Sequence, residues 1–276
     1  MKPLTFEVWP SRTPEEDGKL RDIMRAVKEF NPPYVSVTVS DRRPFDCTLR
    51  TARLIQEEFG VSAMPHIRCL GRAPSDFCRD VDSVVSVGMA HLLVLRGDRP
   101  VNGGAPTKDA LQFAAQGIRL IRSMGASLRI AAACHPETHE DAIDDAHDLA
   151  FLCAKVRAGA DLLISQGFFS LDVWARFTSR LHQSRIEIPL VSGVLPLYGI
   201  AQAEALTRMS RARIPPDLVS AFRAGSGPDD AMEVGRMHTV SLCDALFRHA
   251  PTAGIHLFTF NRIDALKWLR QLRESL

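Results

Sequence analysis

With 276 residues, 46% of them hydrophobic, the chain is long enough to bury a large core. Its 34 basic and 32 acidic residues leave a net charge of +2, too small to attract nucleic acid or an anionic membrane, and a small-molecule partner is expected instead. The six cysteines form no CxxC pair, and neither a signal peptide nor a long apolar span is read, so a reduced, cytoplasmic protein is expected.

Short β-rich runs alternate with longer stretches of helical period. The predicted strands are Leu4 to Val8, Tyr34 to Val39, Ala63 to Arg68, Leu92 to Arg96, Leu128 to Ala133, Leu162 to Ser165, Pro189 to Val194 and Ile255 to Phe260. They are nearly continuous apolar runs rather than strict alternations, as parallel strands buried on both faces should be. Thr13-Pro14-Glu15-Glu16 supplies an N-cap, a first-turn proline and first-turn acids, so a helix is predicted within Ser11 to Phe30. In LQFAAQGIRLIRSM the residues Leu111, Ala114, Ala115, Ile118 and Ile121 recur on one helical face. Near the C-terminal end, RIPPDLVSAFRAGSGPDD adds a helical turn and a Gly-rich loop before the last long helix. Strand then helix, eight times over, predicts an α/β fold: a (βα)8 TIM barrel, one domain over residues 1–276, with that helical excursion as its irregularity.

In such a barrel the active site lies at the C-terminal ends of the strands. Those ends carry Glu7, Thr38, His66, Arg96 with Asp98, Cys134 with His135, Gln166, the turn around Pro196, and Asn261 with Arg262. Polar residues at strand ends are ordinary one by one. Two carboxylates aimed into one mouth, however, form a pair whose environments can separate their pKa values. The stretch ACHPETHEDA invites a zinc reading through Cys134, His135, Glu137 and His139. Pro136 argues against it, because the helix that HxxxH spacing needs would begin only after the proline, near Thr138. No metal is expected.

The segments TFEVWPSRTPEEDGKL, PPYVSVTVS, MPHIRC, LVLRGDRP, ACHPETHEDA, KVRAGADLLISQGFF, VSGVLPLYGIAQ and FTFNR occur in order along nearly the whole chain. In this the sequence resembles the methylenetetrahydrofolate reductase family, flavoenzymes built on a (βα)8 barrel. The resemblance implies FAD as cofactor, NAD(P)H as co-substrate and a folate substrate, with ping-pong hydride transfer reducing 5,10-methylenetetrahydrofolate to 5-methyltetrahydrofolate. It implies that Glu7 is the general acid that protonates folate N10, in a dry site to which Phe6, Trp9 and the barrel interior would contribute. Asp98 would tune the flavin and stabilise the cationic iminium form of the substrate, with Gly97 allowing the turn between it and Arg96. The Gln166 amide would bond the pterin and the nicotinamide carboxamide. Flavin contacts are implied for Thr38, His66, Arg96, Gly97, Asp98, His135, His139, Asp148 and Lys155, and substrate contacts for Gln166, Ile200 and Arg262.

Asp148 suits ribose hydroxyls, and Lys155 and Arg96 suit a pyrophosphate. Asp148 and Lys155 are seven residues apart and so share a helix face. The sequence departs from the family at VSDRRPFDC after Thr38, at Gly167 after Gln166, and at Ile200, where an aromatic often stacks on the nicotinamide cofactor. Losing that stacking is worth on the order of 1 kcal/mol. Two alternatives stay open: the same chemistry run oxidatively on methyltetrahydrofolate, and a folate-binding subunit that needs a partner. A homo-oligomer is compatible with either.

Overall fold

The computed structural model describes residues 2–39, 44–98, 109–139, 141–209, 212–225 and 227–275. Eight parallel strands close into a barrel in sequence order, and β1 (Leu4–Val8) pairs with both β2 (Val35–Val37) and β8 (Gly254–Phe258). Between these run β3 (Ala63–Arg68), β4 (His91–Leu95), β5 (Arg129–Cys134), β6 (Leu162–Gly167) and β7 (Leu190–Val194). The predicted strands and these agree to within one or two residues at most ends. Helices α1 (Pro14–Lys28), α2 (Phe45–Phe59), α3 (Pro74–Ser86), α4 (Ala114–Ser123), α5 (Asp145–Arg157) and α6 (Leu171–Gln183) form the crossovers after the first six strands. After β7 come α7 (Ile200–Met209), α8 (Pro216–Ala224) and α9 (Pro228–His249), and α10 (Asp264–Ser275) follows β8.

The helix starts follow local chemistry. Thr13 caps α1 by accepting from the Glu16 amide, with Pro14 in the first turn, so the helix begins after Ser11. The helix expected near Thr138 begins instead at Asp145, where the Asp144 side chain accepts from the His147 amide. Both threonine and aspartate are capping residues, and the later one wins because Thr138, His139 and Asp141 to Ile143 are used in a loop at the barrel mouth. The predicted helical turn before the last long helix is a full nine-residue helix, α8. Its Leu218 and Phe222, four residues apart, dock with Phe169, Leu197 and Ala203 in a small separate cluster.

The main core lies between barrel and helices, and a smaller one, with Met64, Leu93, Ala131, Ile164 and Val191, fills the barrel's interior. That interior is not wholly apolar: Thr5, Ser36, His66 and His256 are buried in it as well. At β6 the ladder to β7 shifts register between Ile164 and Gly167. The Ser165 hydroxyl accepts from the Gly193 amide at 2.8 Å, filling the break. The shift brackets the strand's last polar residue, Gln166. A Cβ at Gly193 would stand 2.2 Å from the Ser165 carbonyl oxygen, so only glycine permits this close approach.

Candidate active site

At the C-terminal ends of β4, β5 and β6 a cavity of about 460 Å³ opens. It is lined by eight of the residues singled out in the sequence: Arg96, Gly97, Asp98, His135, His139, Asp148, Lys155 and Gln166. Gly97 adopts φ +88, and a Cβ there would come within 3.0 to 3.2 Å of the Arg68 side chain. A left-handed, crowded position of this kind is glycine's. The chain therefore turns sharply enough for Arg96 and Asp98 to face the same cavity.

The cationic side is built for an anion. Lys155 projects from α5 with its ammonium donating to the Ala133 carbonyl at 2.7 Å. That uses one of its three donors. Arg96 pairs with Asp141, yet its Nε is buried with no hydrogen-bond partner among the described residues. Burial pushes the Asp148 carboxyl up and the Lys155 ammonium down, and their mutual attraction opposes both shifts. His135 is held well below the usual imidazole value, first by burial and then by Lys155, His139 and Arg96. These free donors, with the aromatic pair Phe113 and Phe151 stacked at 4.9 Å on the same wall, fit a ligand that joins a pyrophosphate to a flat ring. In this sense the cavity fits a flavin dinucleotide.

Glu7 stands inside the barrel mouth, its side chain 16% exposed, between two imidazoles. His66 Nε2 lies 3.8 Å and His256 Nε2 4.0 Å from the same oxygen, Glu7 Oε2. The dry surroundings differ from those expected. Phe6 faces the helix layer and packs on Phe30, and Trp9 is 43% exposed against the edge of Phe260. Alternation along β1 explains Phe6, since the residue before Glu7 points the other way, and Trp9 lies past the end of the strand.

His66 has no hydrogen-bond partner on either ring nitrogen among the described residues, and burial lowers its pKa to about 4. Above pH 6.5 both folded and unfolded chains keep this ring neutral. Between 6.5 and 4 only the unfolded chain takes up the proton, so stability falls with pH across that window, by on the order of 3 kcal/mol from this group. Urea titrations from pH 7 to 4 are expected to show the loss, and His66→Gln to reduce its slope; an unchanged slope would mean that His66 is charged or exposed in the fold.

The other expected residues lie elsewhere on the rim. Thr38 is half-buried, donating its amide to Val8 and accepting from Thr48 through its carbonyl. In the altered loop after it, residues 40–43 lie outside the described residues. Ile200 opens α7 and packs into the cluster around α8 rather than lining the cavity. Arg262 stacks its guanidinium on the Tyr198 ring at 3.8 Å and pairs with Asp264.

Sequence reasoning passed over Arg68, Phe113, Asp141 and Phe151, all of which line the cavity. Phe113, 39% exposed just before α4, was absorbed by the helical period of its neighbours. Arg68 sits two residues beyond His66, a spacing that places both on one face of β3. A second, wider cleft of about 820 Å³ lies beyond the β5–α5 loop, lined by Glu137, Arg176, Arg180 and Arg213. Arg180 is engaged with Asp145, and the Arg213 amide donates to Glu137. All six cysteines are free, and no described helix is long and apolar enough to cross a membrane.

Over residues 2–271 the sequence matches the methylenetetrahydrofolate reductase family. It is 28% identical over 265 residues to the 5,10-methylenetetrahydrofolate reductase of Escherichia coli (strain K12), covering 95% of this chain and 87% of that one. The enzyme of the same name from Pectobacterium carotovorum subsp. carotovorum is also 28% identical, with 95% and 86% covered. An uncharacterized protein from Clostridium thermocellum, solved with two copies of 5-methyl-5,6,7,8-tetrahydrofolic acid, aligns with a TM-score of 0.66. The alignment covers 100% of this chain and 96% of that one at 11% identity, a likeness of fold.

Proposed function

The chain belongs to the methylenetetrahydrofolate reductase family of oxidoreductases, and from that premise we propose that it reduces 5,10-methylenetetrahydrofolate to 5-methyltetrahydrofolate with hydride drawn from NAD(P)H by way of FAD. The observation that carries the reading is the one cavity in which Arg96, Asp98 and Gln166 from the ends of β4 and β6 meet Asp148 and Lys155 of α5. Bound FAD supplies a hydride carrier that each substrate meets in turn.

This chain's residues do the rest. Lys155 and Arg96 hold the pyrophosphate, and Asp148 accepts from ribose hydroxyls. His135 and His139, with ring centroids 4.5 Å apart, wall the flavin side, and Gly97 with Asp98 brings backbone and charge close to it. Gln166, two residues beyond the interior-facing Ile164, offers both a donor and an acceptor to the pterin edge. Glu7 delivers its carboxyl proton to N10. The N10–CH2 bond opens, and the bridging carbon becomes an iminium that accepts hydride. Asp98 stabilises the positive charge that develops there.

The test is whether the purified protein is yellow or becomes so with FAD, and whether NAD(P)H bleaches the colour and methylenetetrahydrofolate restores it. A colourless protein that cannot be reconstituted removes the flavin from the proposal. A flavoprotein bleached by NAD(P)H but not reoxidised by the folate removes the substrate.

A further inference from the structure

The barrel interior beneath the cavity holds a row of polar groups that binding alone does not require. Three successive features run across it: Thr5 stands opposite His256 in the β1–β8 ladder, Glu7 stands opposite Ser36 in the β1–β2 ladder, and His66 faces Glu7 from β3. His256 is fully buried and pinned on both sides. Its Nδ1 lies 2.8 Å from Thr5 Oγ1, and its Nε2 lies 3.3 Å from Ser36 Oγ. Phe258 meets the ring edge-on at 5.3 Å between centroids.

Two tautomers satisfy these contacts. With Thr5 donating to the Ile255 carbonyl at 3.3 Å, Nδ1–H donates to Thr5 at 2.8 Å and Ser36 donates to Nε2. With Thr5 donating to Nδ1 instead, the neutral imidazole carries its own proton on Nε2. That N–H has only the long contact to Ser36, and its other neighbour is Glu7 Oε2 at 4.0 Å. A buried donor is thus left under-used and aimed at the carboxyl.

We infer that His256, held by Thr5, carries its proton on Nε2 and is a positioning residue for Glu7: the Nε2–H is a preorganised donor for the carboxylate that forms as Glu7 gives up its proton. This rests on the reading of Glu7 as proton donor. In the structure the contact is long, at 4.0 Å. As the O–H bond breaks and the N10–H bond forms, negative charge grows on the carboxyl, and a shift of about 1 Å brings Oε2 into hydrogen-bond range. The donor therefore acts more strongly in the transition state than before it, which is the condition for accelerating the step. His256 keeps its own proton throughout.

The titratable groups facing this pair are His66 from β3 and Tyr34, which leads into β2; Ser36 and Thr5 are the uncharged neighbours. Burial keeps the His66 ring uncharged near neutrality and holds the Tyr34 phenol up at about 12. Neither presents Glu7 with a charge near neutrality.

The experiment follows each half-reaction of the flavin-loaded protein by rapid mixing across pH. Substituting His256→Leu removes the donor, and the folate half-reaction is expected to slow by about 10- to 100-fold while NAD(P)H reduces the flavin within about twofold of the parent rate. The pH profile carries the decisive sign. A donor that favours a carboxylate holds the basic limb of the folate step down, so its loss is expected to move that limb up even though the step is slower. Loss of packing alone would slow the step without moving the limb in that direction.

Should His256→Leu fail to fold, Thr5→Val serves in its place. It keeps the shape, frees the tautomer, and is expected to give the same shift with a smaller loss of rate. His256→Gln, which retains an N–H donor, is expected to recover part of the rate. An unmoved limb in both Thr5→Val and His256→Leu, or equal losses in both half-reactions, overturns the inference. Parallel runs on Glu7→Gln separate the two readings: if that variant loses the folate step and the His256 variants do not, only the role of His256 falls, whereas an unaffected Glu7→Gln removes the proton donor itself.

Discussion

Glu7→Gln is expected to slow the folate half-reaction by about 100- to 10,000-fold while leaving NAD(P)H oxidation almost unaltered. The substitution keeps the side chain's size and a polar end but removes the acid. Only the folate half needs a proton at N10, and hydride passing from the nicotinamide to the flavin needs none. The position of Glu7 suits this division. It lies at the inner end of β1, 16% exposed, between two imidazole edges rather than against a lysine or arginine. An adjacent permanent cation would hold the group as a carboxylate and remove its use as an acid near neutrality. Rapid mixing decides: equal losses in both half-reactions would indicate a disturbed site, and no loss in the folate step would reduce Glu7 to an ordinary strand-end carboxylate.

Most of the barrel is legible because parallel strands buried on both faces leave apolar runs that few other structures produce. The β3 segment Ala63–Arg68 and the β1 segment Leu4–Val8 coincide with prediction for this reason. What composition and period could not fix is competition between equivalent local signals. Thr138 and Asp144 are both able to cap a helix, and only the packing of the loop around His135 and His139 selects the second. At α8 the pair Leu218 and Phe222 held the information that a whole helix forms, but a turn rich in proline and glycine masked it.

The site was legible through residues that sit just beyond strands, less so through those within them. Arg96, Asp98 and Gln166 follow apolar runs and stand out. His256 lies in the middle of GIHLF, where a lone histidine reads as a core residue, and its importance depends on Thr5, 251 positions away in sequence. Phe6 was misplaced for a related reason. Chain proximity to Glu7 suggested contact, whereas the two-residue period of β1 sends Phe6 into the helix layer. Positions i and i+2 on one strand, and partners across the ladder, would have been the better guide.

Asp98→Asn carries the second large expected effect: flavin remains bound, and the folate half-reaction slows by roughly 30- to 1,000-fold, equivalent to about 2 to 4 kcal/mol of transition-state stabilisation. Before ligands arrive Asp98 is exposed to solvent, where a charge is worth little; a folate and a flavin lying across the cavity would cover it and raise the value of that charge. The local electrostatics add a further penalty for losing it. The methylene stem of Arg68 packs beneath Gly97, and its guanidinium is depressed by burial and supported by Asp98. With asparagine at position 98 that cation loses a compensating charge and faces a substrate that is itself becoming positive, so the barrier rises from both sides. Hydride transfer from NAD(P)H creates no such cation on a folate and should change much less. Single-turnover reoxidation by methylenetetrahydrofolate, measured on variant that still holds its flavin, gives the answer: a rate equal to the parent's would mean that Asp98 contributes only to the rim of the cavity and that the iminium is stabilised elsewhere.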